Sequence, residues 1–283
     1  MRAVSYTVLA MLAFAGNSII CRLALRDAAI DPASFTGIRL AAGALALVLI
    51  FAVTRRGQSV AGHGDWAAGL MLFLYAVLFS YAYISLNAAA GALILFGFVQ
   101  ATMIVMALAA GDRPSASEWL GWLLALGGLA WLLLPGAEAP PLGGALLMAA
   151  SGIAWGVYSI QGRAQSDALA ATTANFARTL IAVALLAVLT TGAMRMTPAG
   201  VLLAILSGAL TSGVGYVLWY AALDYLSSIQ AALVQLSVPA IAAVAGVLLL
   251  AEPLSSRLVF AGLLILGGIC LAVLGKGMRS RFT

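Results

Sequence analysis

The stretch "WAAGLMLFLYAVLFSYAYISLNAAAGALILFGFVQATMIVMALAAG", residues 66–111, contains no charged side chain in 46 residues. A helix that crosses a bilayer needs about 20 mainly apolar residues, so this run accommodates two spans with a tight turn near Asn87. The whole chain of 283 residues is 64% hydrophobic and 8% charged, whereas soluble domains contain about 25% charged residues. The sequence is therefore typical of an integral membrane protein. Its net charge of +5 is interpreted through membrane topology and does not indicate a nucleic-acid partner.

Eight further apolar runs bring the predicted spans to ten. They are continuous and lack the alternation of a barrel strand, so each predicts a helix. The fold class is thus all-α, with ten transmembrane helices, numbered spans 1 to 10 in chain order. A cleaved signal peptide is disfavoured because span 1 continues to Cys21 and a similar segment recurs mid-chain. The eight runs are residues 3–21, 33–54, 119–135, 142–161, 170–192, 199–223, 228–251 and 258–274.

An internal repeat relates the two halves of the chain. "AFAGNSIICR" at 13–22 resembles "IAWGVYSIQGR" at 153–163, and an offset of 140 residues pairs Gly16 with Gly156 and Asp112 with Glu252. The pattern predicts a first five-helix repeat over residues 1–140 and a second over 141–283. Because five is odd, the second repeat enters the membrane from the opposite side. Inverted repeats of this kind build alternating-access transporters.

The basic residues predict the orientation, since Lys and Arg collect on the cytoplasmic side. An even number of spans leaves both termini on one side, which we expect to be the cytoplasm. The opposite side has only Arg22, Arg26, Arg195 and Arg257. The side of the termini has Arg2, Arg55, Arg56, Arg113, Arg163, Lys276, Arg279 and Arg281.

The spans contain little reactive chemistry. All nine acidic residues fall in loops or at helix ends, and His63, the only histidine, lies in a loop. There is no evident proton relay, metal cluster or catalytic base, so we expect no enzyme and no cofactor. Glu252, at the tip of the hairpin between spans 9 and 10, is interpreted as a helix cap or a tie for that hairpin. Cys21 and Cys270 are interpreted as packing residues.

Arg39 and Arg178 are the two charged residues inside predicted spans. Each lies close enough to a helix end for its head to snorkel to the interface or to pair with a loop carboxylate. Repeat symmetry places them in opposite leaflets. They are therefore poorly placed to clamp one phosphate, which disfavours a sugar-phosphate or nucleotide-sugar substrate. A direct role of either arginine in substrate binding stays open as the less favoured alternative. The expected cavity has no fixed central charge.

Aromatic and amide side chains supply the candidate binding site. On span 3 they recur every four residues, and the 140-residue offset carries Phe79 onto Trp219. Such stripes can also serve packing or interfacial anchoring, but rings and amides suit a neutral or zwitterionic solute with an apolar body. The substrate-binding candidates are Asn17, Ser18, Tyr75, Phe79, Tyr83, Gln100, Trp155, Tyr158, Trp219 and Gln235.

Several motifs resemble those of the EamA-type drug/metabolite transporter superfamily: "LLLAEPLS" closing span 9, "GLLILGGICL" in span 10 and the proline of "LSVPAIAAV". The first repeat departs from the pattern, with Asp in "LAAGDRPS" where the family often has Glu and no counterpart of Pro239. Within the superfamily the chain is most similar to the bacterial aromatic amino acid exporters. The resemblance implies that spans 5 and 10 stand outside the substrate site.

The leading hypothesis is a multi-pass exporter or facilitator of aromatic and other neutral amino acids in the bacterial inner membrane. It would work by alternating access and without a bound cofactor. Two alternatives stay open: export of other amphipathic metabolites or drugs, and a structural or signalling membrane subunit without flux. The partners expected are a small-molecule substrate and the lipid bilayer, and the sequence does not specify an oligomeric state.

A reporter fusion tests the orientation. Alkaline phosphatase, which is active only in the periplasm, should be inactive when fused after Thr283, because the basic residues favour that end on the cytoplasmic side. A fusion in the loop after Arg26 should be active. The reverse result would invert the topology.

Overall fold

The computed structural model describes residues 2–111, 113–136, 138–163, 165–226 and 228–279. Within these ranges it contains ten helices, which we label α1 to α10. Their bounds are α1 Arg2–Arg26, α2 Pro32–Thr54, α3 Trp66–Ala82, α4 Ala88–Ala109, α5 Ala116–Leu133, α6 Leu142–Arg163, α7 Ala168–Leu189, α8 Pro198–Leu223, α9 Ser228–Gln235 with Ser237–Leu250, and α10 Ser256–Arg279.

The helices confirm the predicted all-α architecture. In the described part of the chain nine are long and apolar enough to cross a membrane, and α3, at 17 residues, is a shorter apolar helix. The turn expected near Asn87 is present, and the Asn87 side chain accepts a hydrogen bond from the Ala90 amide at 2.7 Å. Acidic residues sit at helix ends because they cap them: Asp31, Asp65 and Asp167 accept from the first-turn amides of α2, α3 and α7.

Helix packing follows the inverted repeat. The exchange of α1 with α6, α2 with α7, α3 with α8, α4 with α9 and α5 with α10 converts each of the most extensive helix contacts into itself or into another observed contact. Thus α1 packs on α8 and α9, while α6 packs on α3 and α4. The central helices of each half therefore pack against the other half. The division at residues 140 and 141 remains a prediction.

Helices α5 and α10 pack closely against each other through glycine. A Cβ atom on Gly121 would lie 2.6 Å from the Ala272 amide nitrogen, and one on Gly268 would lie 2.6 Å from that of Ala125. Without side chains there, the two backbones approach closely, as small residues permit in membranes. Large apolar side chains such as Leu123 and Leu263 are exposed on this pair, which indicates a lipid-facing surface.

Two helices depart from regular α geometry. The middle of α8, Ser207–Val214, is a π-helix, and α9 is interrupted at Leu236. Pro239 accounts for that interruption, because proline has no N–H to donate to the carbonyl of Gln235. Both irregular segments lie mid-span, and irregular backbone is tolerated at membrane depth where protein buries it or a cavity adjoins it.

Glu252 ties three elements together at one end of the bundle. Its Oε1 pairs with Arg22 Nε at 2.9 Å, and its Oε2 accepts from the Ala88 amide at 2.7 Å, at the start of α4. Arg22 also donates to the carbonyl oxygens of Tyr83 and Ile84. The structural interpretation of Glu252 is confirmed. Asp112, its counterpart in the repeat, and Arg281 lie outside the described residues.

Replacing Glu252 by Ala should destabilise the fold. The substitution leaves Arg22 without its carboxylate partner and the first amide of α4 without a cap. The Arg22–Glu252 ion pair that it removes is mostly buried. Roughly 2 kcal/mol of unfolding free energy should be lost, measured as a lower Tm of the purified protein in detergent. Asp27→Asn is the control, because its ion pair with Arg26 is exposed. Equal Tm values for Glu252→Ala and wild type would refute the tie.

Candidate functional site

A narrow cavity of about 40 Å³ lies among the central helices. Its wall is formed by seven of them, α1, α2, α3, α4, α6, α8 and α9. Neither α5 nor α10 contributes to the described lining, as the sequence resemblance implies. The lining residues are Phe14, Asn17, Ser18, Arg39, Tyr75, Phe79, Leu95, Phe96, Trp155, Thr211, Ser212, Tyr216 and Gln235.

Six of the ten candidates from the sequence lie in this wall: Asn17, Ser18, Tyr75, Phe79, Trp155 and Gln235. They come from four helices that are distant in sequence, α1, α3, α6 and α9. The convergence follows from the interlocking of the two halves, which brings α1 and α3 of the first repeat against α6, α8 and α9 of the second.

The structure does not bring the other four candidates to the cavity wall. Tyr83 stands edge-on to Phe79 with ring centroids 4.7 Å apart, and its hydroxyl donates to the Ala88 carbonyl. Tyr158 lies behind Trp155, with centroids 5.4 Å apart. Trp219 and Gln100 are also absent from the wall. Trp219 packs edge-on against Phe14, with centroids 6.0 Å apart, so it supports a lining ring.

The aromatic part of the wall is a connected set of rings around Trp155. The Trp155 ring lies 4.7 Å from that of Tyr75 and 5.5 Å from that of Tyr216, measured between centroids. Tyr216 in turn lies 5.9 Å from Phe14. Separations of 4.5–7 Å are those at which aromatic rings attract each other. An apolar or aromatic group entering the cavity would therefore meet ring surfaces from α1, α3, α6 and α8.

The polar part of the wall is organised by Asn17. Its Oδ1 accepts from Ser207 Oγ at 2.7 Å and from Thr211 Oγ1 at 3.3 Å. Its Nδ2 donates to the Tyr75 hydroxyl at 3.4 Å. Asn17 is 6% exposed, so these bonds satisfy an amide that hydrocarbon cannot solvate. They also fix the position of the Tyr75 hydroxyl.

The π-helical segment of α8 presents its hydroxyls to α1 and α2. Ser207 and Thr211 bond to Asn17, and Ser212 reaches Arg39. This segment also lies close to α2, because a Cβ atom on Gly208 would collide with the Arg39 backbone carbonyl. A π-helix alters which residues share a face, and such segments are frequent at functional sites.

Arg39 is buried in the cavity wall, and the expectation that it snorkels to the interface is wrong. Arg39 is 2% exposed, and its backbone lies about 10 Å along the axis of α2 from Pro32, the first residue of that helix. Its guanidinium carbon lies 5.3 Å and 5.1 Å from the ring centroids of Tyr75 and Phe79. These cation–π contacts and the Ser212 and Tyr75 hydroxyls hold the head inside the bundle. The cavity therefore carries a fixed positive charge, contrary to expectation.

Arg178, the approximate repeat counterpart of Arg39, occupies a different environment. Its Nη1 donates to the His63 carbonyl at 2.9 Å, in the loop before α3. Its guanidinium carbon lies 5.6 Å from the ring centroid of Trp66, the first residue of α3. Arg178 thus reaches a loop as expected, although its partner there is a carbonyl oxygen. The two halves of the repeat are chemically unequal.

Seven lining residues were not among the candidates. A charge inside a span was visible for Arg39, and Phe14 shares a face with Asn17, so both had a signal. Tyr216 lies one turn before Trp219 and Tyr220 on α8. The sequence offered no comparable signal for Thr211 and Ser212, whose placement depends on the π-helix. The remaining two, Leu95 and Phe96, have the composition of any apolar span.

The model of the EamA-like transporter family matches residues 1–134 and again residues 142–274. A Pseudomonas aeruginosa protein, "Uncharacterized protein PA1977", is 53% identical over 281 residues and covers 98% of both chains. A solved chain described only as "Crystal structure of protein" superposes with a TM-score of 0.69 at 21% identity. That match covers 96% of this chain and 97% of the other, and it supports the fold alone.

The fold and the family model together define a multi-pass membrane transporter of small molecules, built from two inverted five-helix repeats. The chain belongs to the EamA-like transporter family.

Proposed function

We propose that the protein exports aromatic and other neutral amino acids across the bacterial inner membrane. The observation that carries the proposal is the cavity itself, in which a set of aromatic rings and a hydrogen-bonded polar wall face one space among the central helices. The rings would bind an apolar side chain, and the polar groups would bind the α-carbon substituents. Each good ring pair contributes about 0.5–1.5 kcal/mol beyond burial.

The proposed mechanism is alternating access between the two repeats. A cavity of about 40 Å³ holds a few water molecules, each needing roughly 10–15 Å³, and is too small for an amino acid. Binding therefore requires the helices around the site to move apart. Polar ties occur at both ends of the bundle: Glu252 with Arg22 at one, and Arg55 with Asp167 at 3.9 Å at the other. In this mechanism the two ends open in turn.

The polar chemistry of the wall supports facilitated transport. Among the described lining residues there is no carboxylate and no histidine. The carboxylates of Asp31, Asp65 and Asp167 are engaged as helix caps, and Glu252 is engaged with Arg22. A proton-coupled carrier needs a titratable group that binds proton and substrate in turn. We therefore propose exchange or uniport without obligatory proton coupling.

The alternative of exporting amphipathic drugs is restricted by Arg39. A fixed positive charge in the wall repels lipophilic cations, so neutral or anionic amphipathic metabolites are the alternative class.

A transport assay distinguishes a carrier from a membrane subunit without flux. Purified protein in liposomes loaded with unlabelled phenylalanine should take up labelled phenylalanine, and protein-free liposomes should not.

Trp155→Ala should weaken the binding of labelled tryptophan or phenylalanine about tenfold to a hundredfold, because a ring that would stack on the substrate is lost. The measurement is the concentration dependence of liposome counterflow. Trp119→Ala is the matched control, since Trp119 is 48% exposed on α5 and far from the cavity wall. Equal losses in both variants, or none in Trp155→Ala, would overturn the site assignment.

Counterflow should proceed without a pH gradient and should be unaffected by a protonophore, because the described wall offers no carboxylate and no histidine to carry a proton. The measurement compares labelled phenylalanine exchange at equal internal and external pH with exchange under an imposed gradient. Transport that occurs only under the gradient would contradict the facilitative mechanism.

A further inference from the structure

We infer that Arg39 is the group that recognises the substrate, and that it does so by binding a carboxylate. The substrate class is then an apolar or aromatic solute that carries a carboxylate, with or without an amino group. This inference rests on the proposed transport function and makes its substrate requirement specific. It goes beyond amino acids, since it includes aryl carboxylates that have no ammonium group.

The hydrogen bonding of Arg39 is incomplete. Its Nη2 donates to the Tyr75 hydroxyl at 3.2 Å, and its Nε makes a long contact of 3.5 Å with Ser212 Oγ. Its Nη1 is buried and has no hydrogen-bond partner within the described residues. A buried donor without a partner costs free energy, more so when it is charged. An acceptor that enters the cavity would remove this cost.

The charge of Arg39 is also without an acidic partner. The ion pairs found in the described part of the chain join Arg22 to Glu252, Arg26 to Asp27 and Arg55 to Asp167. None of these ion pairs includes Arg39. The guanidinium of an arginine stays protonated in proteins, so this positive charge persists. The rings of Tyr75 and Phe79 attract the guanidinium but do not neutralise it. A charged side chain at membrane depth is expensive and typically marks a substrate pathway.

The surrounding network orients the guanidinium and adds a second donor. The Tyr75 hydroxyl accepts from both Arg39 Nη2 and Asn17 Nδ2, so its own proton is directed away from them. Ser207 and Thr211 hold Asn17 in turn. A carboxylate bound at Nη1 can accept from the planar guanidinium and from this hydroxyl. Hydrogen bonds between a guanidinium and a carboxylate are charge-assisted, and they are stronger than hydrogen bonds between neutral groups.

The apolar walls define the rest of the ligand. The Arg39 guanidinium carbon lies 5.3 Å from the ring centroid of Tyr75, which contacts Trp155, and Trp155 contacts Tyr216. A carboxylate at Arg39 is therefore next to the aromatic cluster. The described lining offers an ammonium group no carboxylate partner. We therefore expect the carboxylate and the apolar body to carry the affinity, and the ammonium to contribute little.

Competition against labelled phenylalanine in the liposome assay tests the inference with wild-type protein. 3-Phenylpropionate, which has the carboxylate but no amine, should compete within about threefold of unlabelled phenylalanine. Phenylalaninamide and phenethylamine, which lack the carboxylate, should compete at least about tenfold more weakly, from the loss of one charge-assisted interaction. Equal competition by phenylalanine and its amide would overturn the inference and leave amino acid transport standing.

Two variants locate the effect at Arg39. Arg39→Met should reduce affinity for phenylalanine and for 3-phenylpropionate about tenfold to a hundredfold and should abolish the preference for the carboxylate over the amide. Arg39→Lys keeps the charge without the planar fork and should retain part of the preference. Arg178→Met is the matched control, because it removes the corresponding arginine of the other repeat outside the cavity wall. An equal loss of carboxylate preference in Arg178→Met would overturn the assignment.

A binding measurement separates this inference from the proposed function. The Tm of purified wild type in detergent should rise with 3-phenylpropionate and not with phenethylamine, and the rise should be absent in Arg39→Met. If this pattern appears without any counterflow of amino acids, the transport proposal fails and Arg39 recognition stands. If neither compound binds nor competes while phenylalanine counterflow proceeds, the Arg39 inference is refuted and the transport proposal stands. If counterflow is absent as well, both are refuted. Should Arg39→Met fail to fold, the wild-type competition series decides the question by itself.

Discussion

Hydrocarbon offers no hydrogen bonds, and this constraint governs where the backbone and the capping acidic side chains of the described residues lie. The backbone satisfies it by forming helices across the membrane. Acidic side chains satisfy it at helix ends, where Asp31, Asp65 and Asp167 bind free amides. Glu252 does the same across the bundle by binding the first amide of α4. Inside the bundle, Asn17 satisfies the constraint with its hydrogen bonds to Ser207, Thr211 and Tyr75. Nη1 of Arg39 does not, because it is buried and has no partner within the described residues.

The inverted repeat interlocks the two halves of the bundle. Because α1 packs on α8 and α9, and α6 packs on α3 and α4, each half supplies much of the packing surface of the other. The site consequently has walls from both halves, and in the proposed mechanism a relative movement of the halves changes access to it. The glycine-mediated α5–α10 pair lies outside this arrangement and exposes its apolar side chains to lipid.

The chemistry of the site depends on where the repeat symmetry is broken. Arg39 and Arg178 correspond in the repeat, yet one lies in the cavity wall and the other reaches a loop carbonyl. The π-helix in α8 contributes Thr211 and Ser212 to the polar wall, and its Ser207 donates to the lining residue Asn17. A strictly symmetric site would present equal chemistry from both halves. This one concentrates positive charge and hydroxyl groups on one side and aromatic rings around them.

The sequence alone was sufficient for the number of spans and the inverted repeat, because hydropathy and the 140-residue offset are properties of the linear chain. It also identified Glu252 as a structural tie. Six of the ten site candidates lie in the cavity wall, since aromatic and amide stripes are readable at helical spacing. Only the tertiary structure placed Arg39 inward, left Tyr83, Gln100, Tyr158 and Trp219 off the wall, and brought in Thr211 and Ser212. Those outcomes depend on how each helix is rotated about its axis and where it departs from α geometry, and packing against neighbouring helices determines both.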